Sequence, residues 1–431
     1  MLHDQIRVDD PAVNLILLPH KSFSEVTLHD RHLFRDTSER PCLLGGRHRL
    51  VDPRFSRLHH APRKSYNAYL ILADKITLID TVKKPFLEEM LARIASVIDP
   101  AKIDYIISNH SEQDHCGCLS EVVGRVRPSK VFASAAGVKN LGEILHNDYV
   151  IQAVRDGETL SLGNMELTFM ETRMIHWPDS MFTFLAKDGL LFSQDAFGMH
   201  LATFERFADE LPADMLEYEA ATYYANIVLP YSPVVLKALE KVAATGWEIR
   251  TIAPDHGPVW RRDLGFILDR YKKWAVQKPA NKAVVVYATM WHSTESMAKA
   301  IAEALAQAGV SVKILSLNEA HRSEVIFELL EAGALIVGSS TLNNNMLPQM
   351  ADVMTYIRGL KPANLIGAVF GSFGWSGESV KDLETALKGM KVDVVAETVS
   401  VRHVPGPEAL EKCHELGRTV ASELAKRLSQ K

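Results

Sequence analysis

At 431 residues the chain exceeds what one ordinary hydrophobic core supports, so two domains are expected. Hydrophobic residues at 47% and charged residues at 23% are globular averages, and composition therefore excludes a disordered or a membrane-embedded polypeptide. The 48 basic residues against 53 acidic ones leave a formal charge of -5, which argues against nucleic acid as the main partner.

Residues 1–45 carry scattered charge without clean periodicity and form an N-terminal extension of no assigned role. No apolar run has the length of a membrane span, and Met1–Arg7 lacks the basic start and apolar core of a signal peptide, so a cytoplasmic protein is expected. His59 and His60 stand ahead of the first clear strand and are candidates for the rim of a pocket. Ser65–Leu72 reads as that strand and pairs with Lys75–Asp80 across the turn at Ala73 and Asp74. Pro85 then opens a helix with Phe86, Met90 and Ile94 on one face, ended by Asp99 and Pro100.

Lys102–Ile107 reads as a short buried strand, and directly after it come His110, Glu112, Asp114 and His115. Alternate residues of an extended segment point the same way, so His110 and Glu112 can reach one ion together. Asp114 and His115 fall where the chain turns into a helix and can face a second. Two ions need more donors, and three further residues stand at the ends of apolar runs: His176, Asp195 and His256. Four imidazoles and three carboxylates, one of them bridging, give each ion about four protein donors and an open face. His200 is a candidate for orienting a ligand or donating a proton beside this set.

Short strands at Lys130–Ser134, Met165–Phe169, Met181–Leu185 and Leu190–Ser193 suit two packed sheets covered by helices, with metal at the strand ends. Residues 201–246 read as helical, with Tyr218, Tyr223 and Tyr224 packing the outside of the core. The four cysteines, Cys42, Cys116, Cys118 and Cys413, form no Cys-x-x-Cys pair. Cys116 and Cys118 are read as small residues filling a tight turn in a reducing compartment rather than as thiolate ligands.

The charged segment Arg270–Lys282 marks a domain boundary, placed at 278 and 279. Beyond it Ala283–Tyr287, Val310–Leu317, Ala334–Ser340, Leu365–Gly371 and Val392–Val401 are β-rich and alternate with helical stripes such as Met297, Ile301 and Leu305. Five such alternations describe an α/β, doubly wound parallel sheet, whose ligands bind outside the carboxyl ends of the strands. The loops there are Thr289, Met290, Trp291, His292, Ser293 and Thr294; Ser340, Thr341, Leu342 and Asn343; and Ser372, Phe373, Gly374, Trp375, Ser376 and Gly377. Hydroxyls and backbone N–H groups at a helix start suit a phosphate monoester, glycines let the backbone approach a planar ring, and Trp375 can lie against it. Flavin mononucleotide (FMN) is the ligand these loops fit together.

The His-x-Glu-x-Asp-His loop, the isolated His176, Asp195 and His256, and the three hydroxyl- and glycine-rich loops together resemble the flavodiiron proteins, over roughly residues 47–425. That resemblance implies a metallo-β-lactamase-like αββα sandwich over residues 46–278, followed by a flavodoxin-like five-stranded domain over 279–431. Glu112 stands where the zinc hydrolases of the superfamily carry histidine, and the added hard oxygen donor shifts the site toward iron or manganese, of which the resemblance implies iron. His110, Glu112 and His176 are expected on one iron and Asp114, His115 and His256 on the other, with Asp195 bridging and His115 the most variable in the family. The implied activity is electron transfer through FMN to a non-haem diiron site that reduces dioxygen to water or nitric oxide to nitrous oxide. The donor is then a separate molecule, a rubredoxin, a flavin reductase or a reduced deazaflavin, and the assembly a head-to-tail homodimer or a dimer of dimers. The competing readings are a dizinc hydrolase with a regulatory flavodoxin domain and a non-enzymatic electron carrier or redox sensor.

Overall fold

The structure, a computed structural model, describes residues 13–18, 64–145 and 149–430, the first of these segments by backbone alone. His59, His60, Cys42 and all of the N-terminal extension except residues 13–18 lie outside it. The described chain divides into two compact units, one holding the residues up to Leu216 and Val242–Gly265, the other Glu217–Lys241 and the chain from Phe266 onward.

The first unit contains two sheets. One runs in the order β1 (Val13–Leu18), β2 (Tyr66–Ile71), β3 (Thr77–Ile79), β4 (Tyr105–Ser108), β5 (Lys130–Ser134) and β6 (Ile151–Val154), parallel throughout except for the antiparallel β2–β3 pair. The other is β7 (Thr159–Ser161), β8 (Glu166–Glu171), β9 (Met181–Leu185), β10 (Leu190–Gln194) and β11 (Thr251–Pro254), antiparallel except between β10 and β11. The two-residue period of β2 sends its side chains into two different cores. Ala68 and Leu70 pack under α1 (Leu87–Ala95), with α2 (Gln113–Cys116) and α3 (Leu119–Val126) following, while Tyr69 and Ile71 meet Phe169, Leu190 and Phe192 between the sheets. The α1 helix has Glu88 and Glu89 in its first turn and Arg93 in its last, charges that complement the helix dipole, and buries Leu87, Met90, Leu91 and Ile94. The remaining helix of this layer is α4 (Ala135–Leu145).

Residues 201–246 hold only a short 3-10 turn (Ala208–Glu210) before the longer helices begin at Ala213. Pro212 sets the start of α5 (Ala213–Tyr223); a π-helical turn (Tyr224–Val228) and a 3-10 turn (Leu229–Tyr231) then precede α6 (Ser232–Ala244). Pro230 has no N–H to give, which breaks the regular ladder there. Tyr218 is exposed, but Tyr224 is core in the second unit, 4.9 Å from Tyr271 and 5.4 Å from Trp274 on α7 (Gly265–Val276).

The second unit is built on β12 (Lys282–Ala288), β13 (Ser311–Ser316), β14 (Ala334–Leu342), β15 (Asn345–Met346), β16 (Ile366–Phe373), β17 (Asp393–Val394) and β18 (Val399–Arg402). Its parallel order is β13-β12-β14-β16, with β17 pairing the start of β16 and β18 its end. The strand expected over Val392–Val401 is therefore two short pieces sharing one edge position. Beyond the sheet β14 folds back on β15 through Asn343 and Asn344 at φ 49° and 59°, the left-handed pair a tight hairpin turn requires. The helices are α8 (Ser293–Gln307), α9 (Arg322–Leu329), α10 (Pro348–Leu360), α11 (Glu378–Gly389) and α12 (Pro407–Ser429). Met297, Ile301 and Leu305 of α8 and Leu416, Val420 and Leu424 of α12 cover one face of the sheet.

Phe192 is fully buried between the two sheets, with its ring 5.3 Å from that of Tyr69. Phe192→Ala is expected to destabilise the first unit by about 3–5 kcal/mol, read as a lower denaturation midpoint in far-ultraviolet circular dichroism.

Candidate metal centre and flavin cradle

Strands β4, β8, β10 and β11 release their chains at one edge of the first unit, and all seven expected metal donors sit just beyond those ends. His110 follows β4, and Glu112 is the extended residue ahead of α2, which carries Asp114 and His115. His176 lies between β8 and β9, Asp195 directly follows β10, and His256 comes two residues after β11. The backbone is clamped locally to hold them. Gln194, at φ 45°, donates its amide to the Ile175 carbonyl and accepts from the Asp195 N–H at 2.6 Å. Asn67 donates to the carbonyls of Pro254 and Gly257 at 2.7 and 2.8 Å on either side of His256. Gly257 is required at φ 76°, since a Cβ there would stand 2.7 Å from Met199.

The donors form two clusters that share one carboxylate. In the first, His176 Nε2 is 2.9 Å from Asp195 Oδ2 and 3.3 Å from Glu112 Oε2, and His110 Nε2 is 3.3 Å from each of the same oxygens. In the second, Asp195 Oδ1 is 3.1 Å from His115 Nε2 and 3.4 Å from His256 Nε2, each ring nitrogen is 3.4 Å from an oxygen of Asp114, and the two nitrogens are 3.2 Å apart. Separations of about 3.0–3.4 Å are those of donors arranged around an ion at about 2.0–2.2 Å. Oδ1 atoms of Asp195 and Asp114 are buried without a hydrogen-bond partner, a state that a bound cation relieves.

The electrostatics agree. Burial opposes protonation of His110, but the carboxylates of Asp179, Asp195 and Glu112 outweigh it and raise its pKa well above the usual range. Burial likewise opposes charge on His115 and His176, yet Asp195 with Asp114 lifts the first to about 10, and Asp195 with Glu112 the second to about 9. Burial pushes Glu112 upward, but hydrogen bonds from His110 and His176 bring it down to about 2. Asp195 lies well below the carboxylate range, its burial overcome by His115, His110 and His176. Without metal such a site draws protons; with metal it exchanges them for dications.

Several residues at this site escaped the sequence reading. Asp179 accepts from the Ser111 N–H at 2.7 Å and faces His110 Nδ1 at 3.8 Å, and the Ser65 carbonyl is 2.6 Å from His256 Nδ1. Asp80, at φ 53°, accepts from the backbone and side-chain nitrogens of Asn109 at 2.7 and 2.8 Å. Asp255 is buried 3.5 Å from His115 Nδ1. The only signal for these carboxylates was their place, beside an expected ligand or at a strand end. His200 stacks edge-on against His256 at 5.1 Å, and its pKa is pushed down to about 2 by burial and by His256. Cys116 donates its thiol to the Ser111 carbonyl at 3.1 Å, and burial raises its pKa to about 12, so it fills the turn as a thiol.

In the second unit three hydroxyls, one from the first turn of α8 and one each from the ends of β14 and β16, converge. Thr294 Oγ1 is 3.0 Å from Ser340 Oγ and 2.9 Å from Ser372 Oγ, and the two serines are 3.3 Å apart. The Thr289 hydroxyl is buried nearby in sequence without a partner. Thr341 bonds Ser379 at 2.8 Å, Ser376 reaches Asn344, and Leu342 and Asn343 belong to the hairpin. His292 is the left-handed residue ahead of α8 and turns outward to Glu295 at 2.7 Å. Trp291 and Trp375 are 83% and 85% exposed, and Met290 is partly so, leaving apolar faces free for a planar ring. A Cβ on Gly374 would meet nothing within 4 Å, so there is open space beside it, whereas one on Gly377 would press on Phe373 at 3.1 Å. A helix start ringed by hydroxyls, with free aromatic faces in the adjoining loops, fits a flavin monophosphate.

Comparison with known proteins finds matches along both halves of the chain. The ODP family beta lactamases match residues 65–257, and the flavodoxin family matches residues 285–417. The rubredoxin-oxygen oxidoreductase of Megalodesulfovibrio gigas is 45% identical over 368 residues, 85% of this chain and 92% of that protein. The chain belongs to the flavodiiron protein family. A further relative is the nitric oxide reductase of Moorella thermoacetica, 42% identical over 86% of this chain and 94% of its own length. The crystal structure of the flavodiiron protein from Giardia intestinalis superposes with a TM-score of 0.82 at 32% identity, covering 86% of this chain and 92% of that one. The fold of this flavodiiron protein is thus a β-lactamase-like domain followed by a flavodoxin-like one.

Two outcomes follow. Asp195→Asn is expected to weaken metal binding in both clusters and Glu112→Gln chiefly in the first, each by at least ~10-fold, measured as metal per subunit after dialysis. Thr294→Val removes one hydroxyl from the start of α8 and, if the flavin phosphate seats there, is expected to weaken FMN about 10- to 100-fold, from a charged hydrogen bond of ~1.5–3 kcal/mol. Riboflavin, which lacks the phosphate, is expected to bind both forms alike in a fluorescence titration.

Proposed function

We propose that this chain takes electrons from an external donor and delivers them, by way of FMN and a non-haem diiron pair, to dioxygen or nitric oxide, giving water or nitrous oxide. The observation that carries this reading is the division of Asp195, one oxygen in each donor cluster. His110, Glu112 and His176 would hold one iron, Asp114, His115 and His256 the other, and Asp195 would serve both; the iron domain falls within residues 46–278 and the flavin domain is residues 279–431, with 217–241 and 266–278 packing into the second unit. Thr289–Thr294, Ser340–Asn343 and Ser372–Gly377 hold the flavin. When bound, FMN accepts electrons in pairs and passes them on singly, and the irons supply a reducible open face for the oxidant.

The protein's own part is to fix charge at the site. Asp195 stays ionised against four converging imidazoles, and Glu112 and Asp114 add one carboxylate to each cluster. Hard oxygen donors mixed with imidazole favour iron over the zinc of a hydrolase. His200 lies edge-on against His256 at 5.1 Å and is placed to orient that ring. Relatives named rubredoxin-oxygen oxidoreductase and nitric oxide reductase, at 45% and 42% identity, support both oxidants and a rubredoxin-type donor. A flavin reductase or a reduced deazaflavin would serve the same loops chemically. We place the protein in the cytoplasm as a head-to-tail homodimer or a dimer of dimers; no helix among the described residues is long and apolar enough to cross a membrane.

The test is anaerobic reduction followed by stopped-flow mixing. Dioxygen or nitric oxide is expected to reoxidise the flavin rapidly in the iron-loaded protein, and iron chelation to abolish that phase while FMN stays bound. Rapid reoxidation that survives iron removal, or a zinc-dependent hydrolytic turnover in its place, overturns the reading. Mixing Asp195→Asn subunits with Thr294→Asp subunits is expected to restore activity that neither has alone if the flavin of one subunit serves the irons of the other.

A further inference from the structure

Each of three imidazoles at the metal centre turns its Nε2 inward and rests its outer Nδ1 near an oxygen. For His256 this is the Ser65 carbonyl at 2.6 Å, and for His110 it is Asp179, itself anchored by the Ser111 N–H. For His115 it is Asp255, 3.5 Å away. Asp255 is wholly buried, and neither of its oxygens has a hydrogen-bond partner. A buried carboxyl group without partners costs free energy, so its retention needs a reason. Its position supplies one: it follows β11 immediately before His256, and the rings of His115 and His256 lie 4.7 Å apart.

We infer that Asp255 is the positioning residue that makes His115 a ligand. His115 Nδ1 is likewise buried without a hydrogen-bond partner, 3.5 Å from Asp255; with an ion on Nε2, a carboxyl oxygen of Asp255 would accept the Nδ1–H and stop the ring from turning away. Because Asp255 and His256 are consecutive, one strand end sets both rings of that ion. The inference rests on the assignment of these residues to a metal pair.

The test titrates cobalt(II) into the metal-stripped, FMN-bound full chain. The unmodified protein is expected to take up two ions per subunit; if it does not, the metal assignment fails, and this inference with it for a separate and visible reason. With two ions established, Asp255→Ala is expected to weaken only one of them, about 10- to 100-fold. Asp255→Asn, which keeps a carbonyl oxygen in place, is expected to weaken it less. Combined with His115→Ala, the Asp255→Ala change is expected to add nothing. Equal loss of both ions, unchanged affinity, or additive losses overturn the inference. A measurement on the unmodified cobalt protein stands independently of how the variants fold. A hyperfine-shifted, slowly exchanging N–H proton signal that disappears in His115→Ala supports the contact, and the lack of such a signal overturns it.

Discussion

Everything in the first unit turns on a buried carboxylate with a different neighbour for each of its oxygens. Asp195 lies in the interior at a cost of several kcal/mol for an isolated ion, and only a dense set of positive partners makes that position tenable. The two sheets provide it by releasing four chains at one edge, so that imidazoles far apart in sequence close on the same group. The turn at Gln194, the clamp of Asn67 around His256 and the glycine at 257 all serve to hold that edge in place. A metal pair demands such support, its donors having to sit within about 0.5 Å of the productive geometry.

What could be read from the residues was what spacing determines. His110, Glu112, Asp114 and His115 lie on one continuous strand-to-helix turn, so their pattern is local. His176, Asp195 and His256 were visible because each polar residue ends an apolar run. The alternation of strand and helix beyond Ala283 gave the second unit for the same reason, its period being short and repeated. The carboxyls that support the ligands were not legible: Asp80, Asp179 and Asp255 are ordinary acidic residues until tertiary packing sets them against a particular nitrogen. The break in the last strand and the irregular turns near Pro230 escaped because pairing partners and missing N–H groups, not hydropathy, decide them. The Asn343–Asn344 pair did carry a readable hairpin signal, but reading the stretch as a ligand loop hid it.

The flavin cradle works by different means. Where the metal centre concentrates charge, the start of α8 offers a helix dipole and three neutral hydroxyls that bond to one another when nothing else engages them. Their mutual contacts hold the start of α8 against the ends of β14 and β16, which would lower the ordering cost of binding a phosphate there. The exposed indoles of Trp291 and Trp375 are the converse, apolar surface left ready for a flat partner.

The path of the backbone has a consequence of its own. The chain passes from one unit to the other after Leu216, returns at Val242 and leaves again after Gly265. No single cut therefore separates the units into intact fragments, and neither can be exchanged as a cassette by joining two pieces of gene. The stretch 217–241 is anchored in the second unit, where Tyr218 rests on Phe327 at 4.9 Å and Asn226 accepts from the Tyr356 hydroxyl at 2.7 Å. A lineage that swapped the flavin half at a simple junction would lose those anchors, so recombination is expected to have kept the pair together as one heritable block.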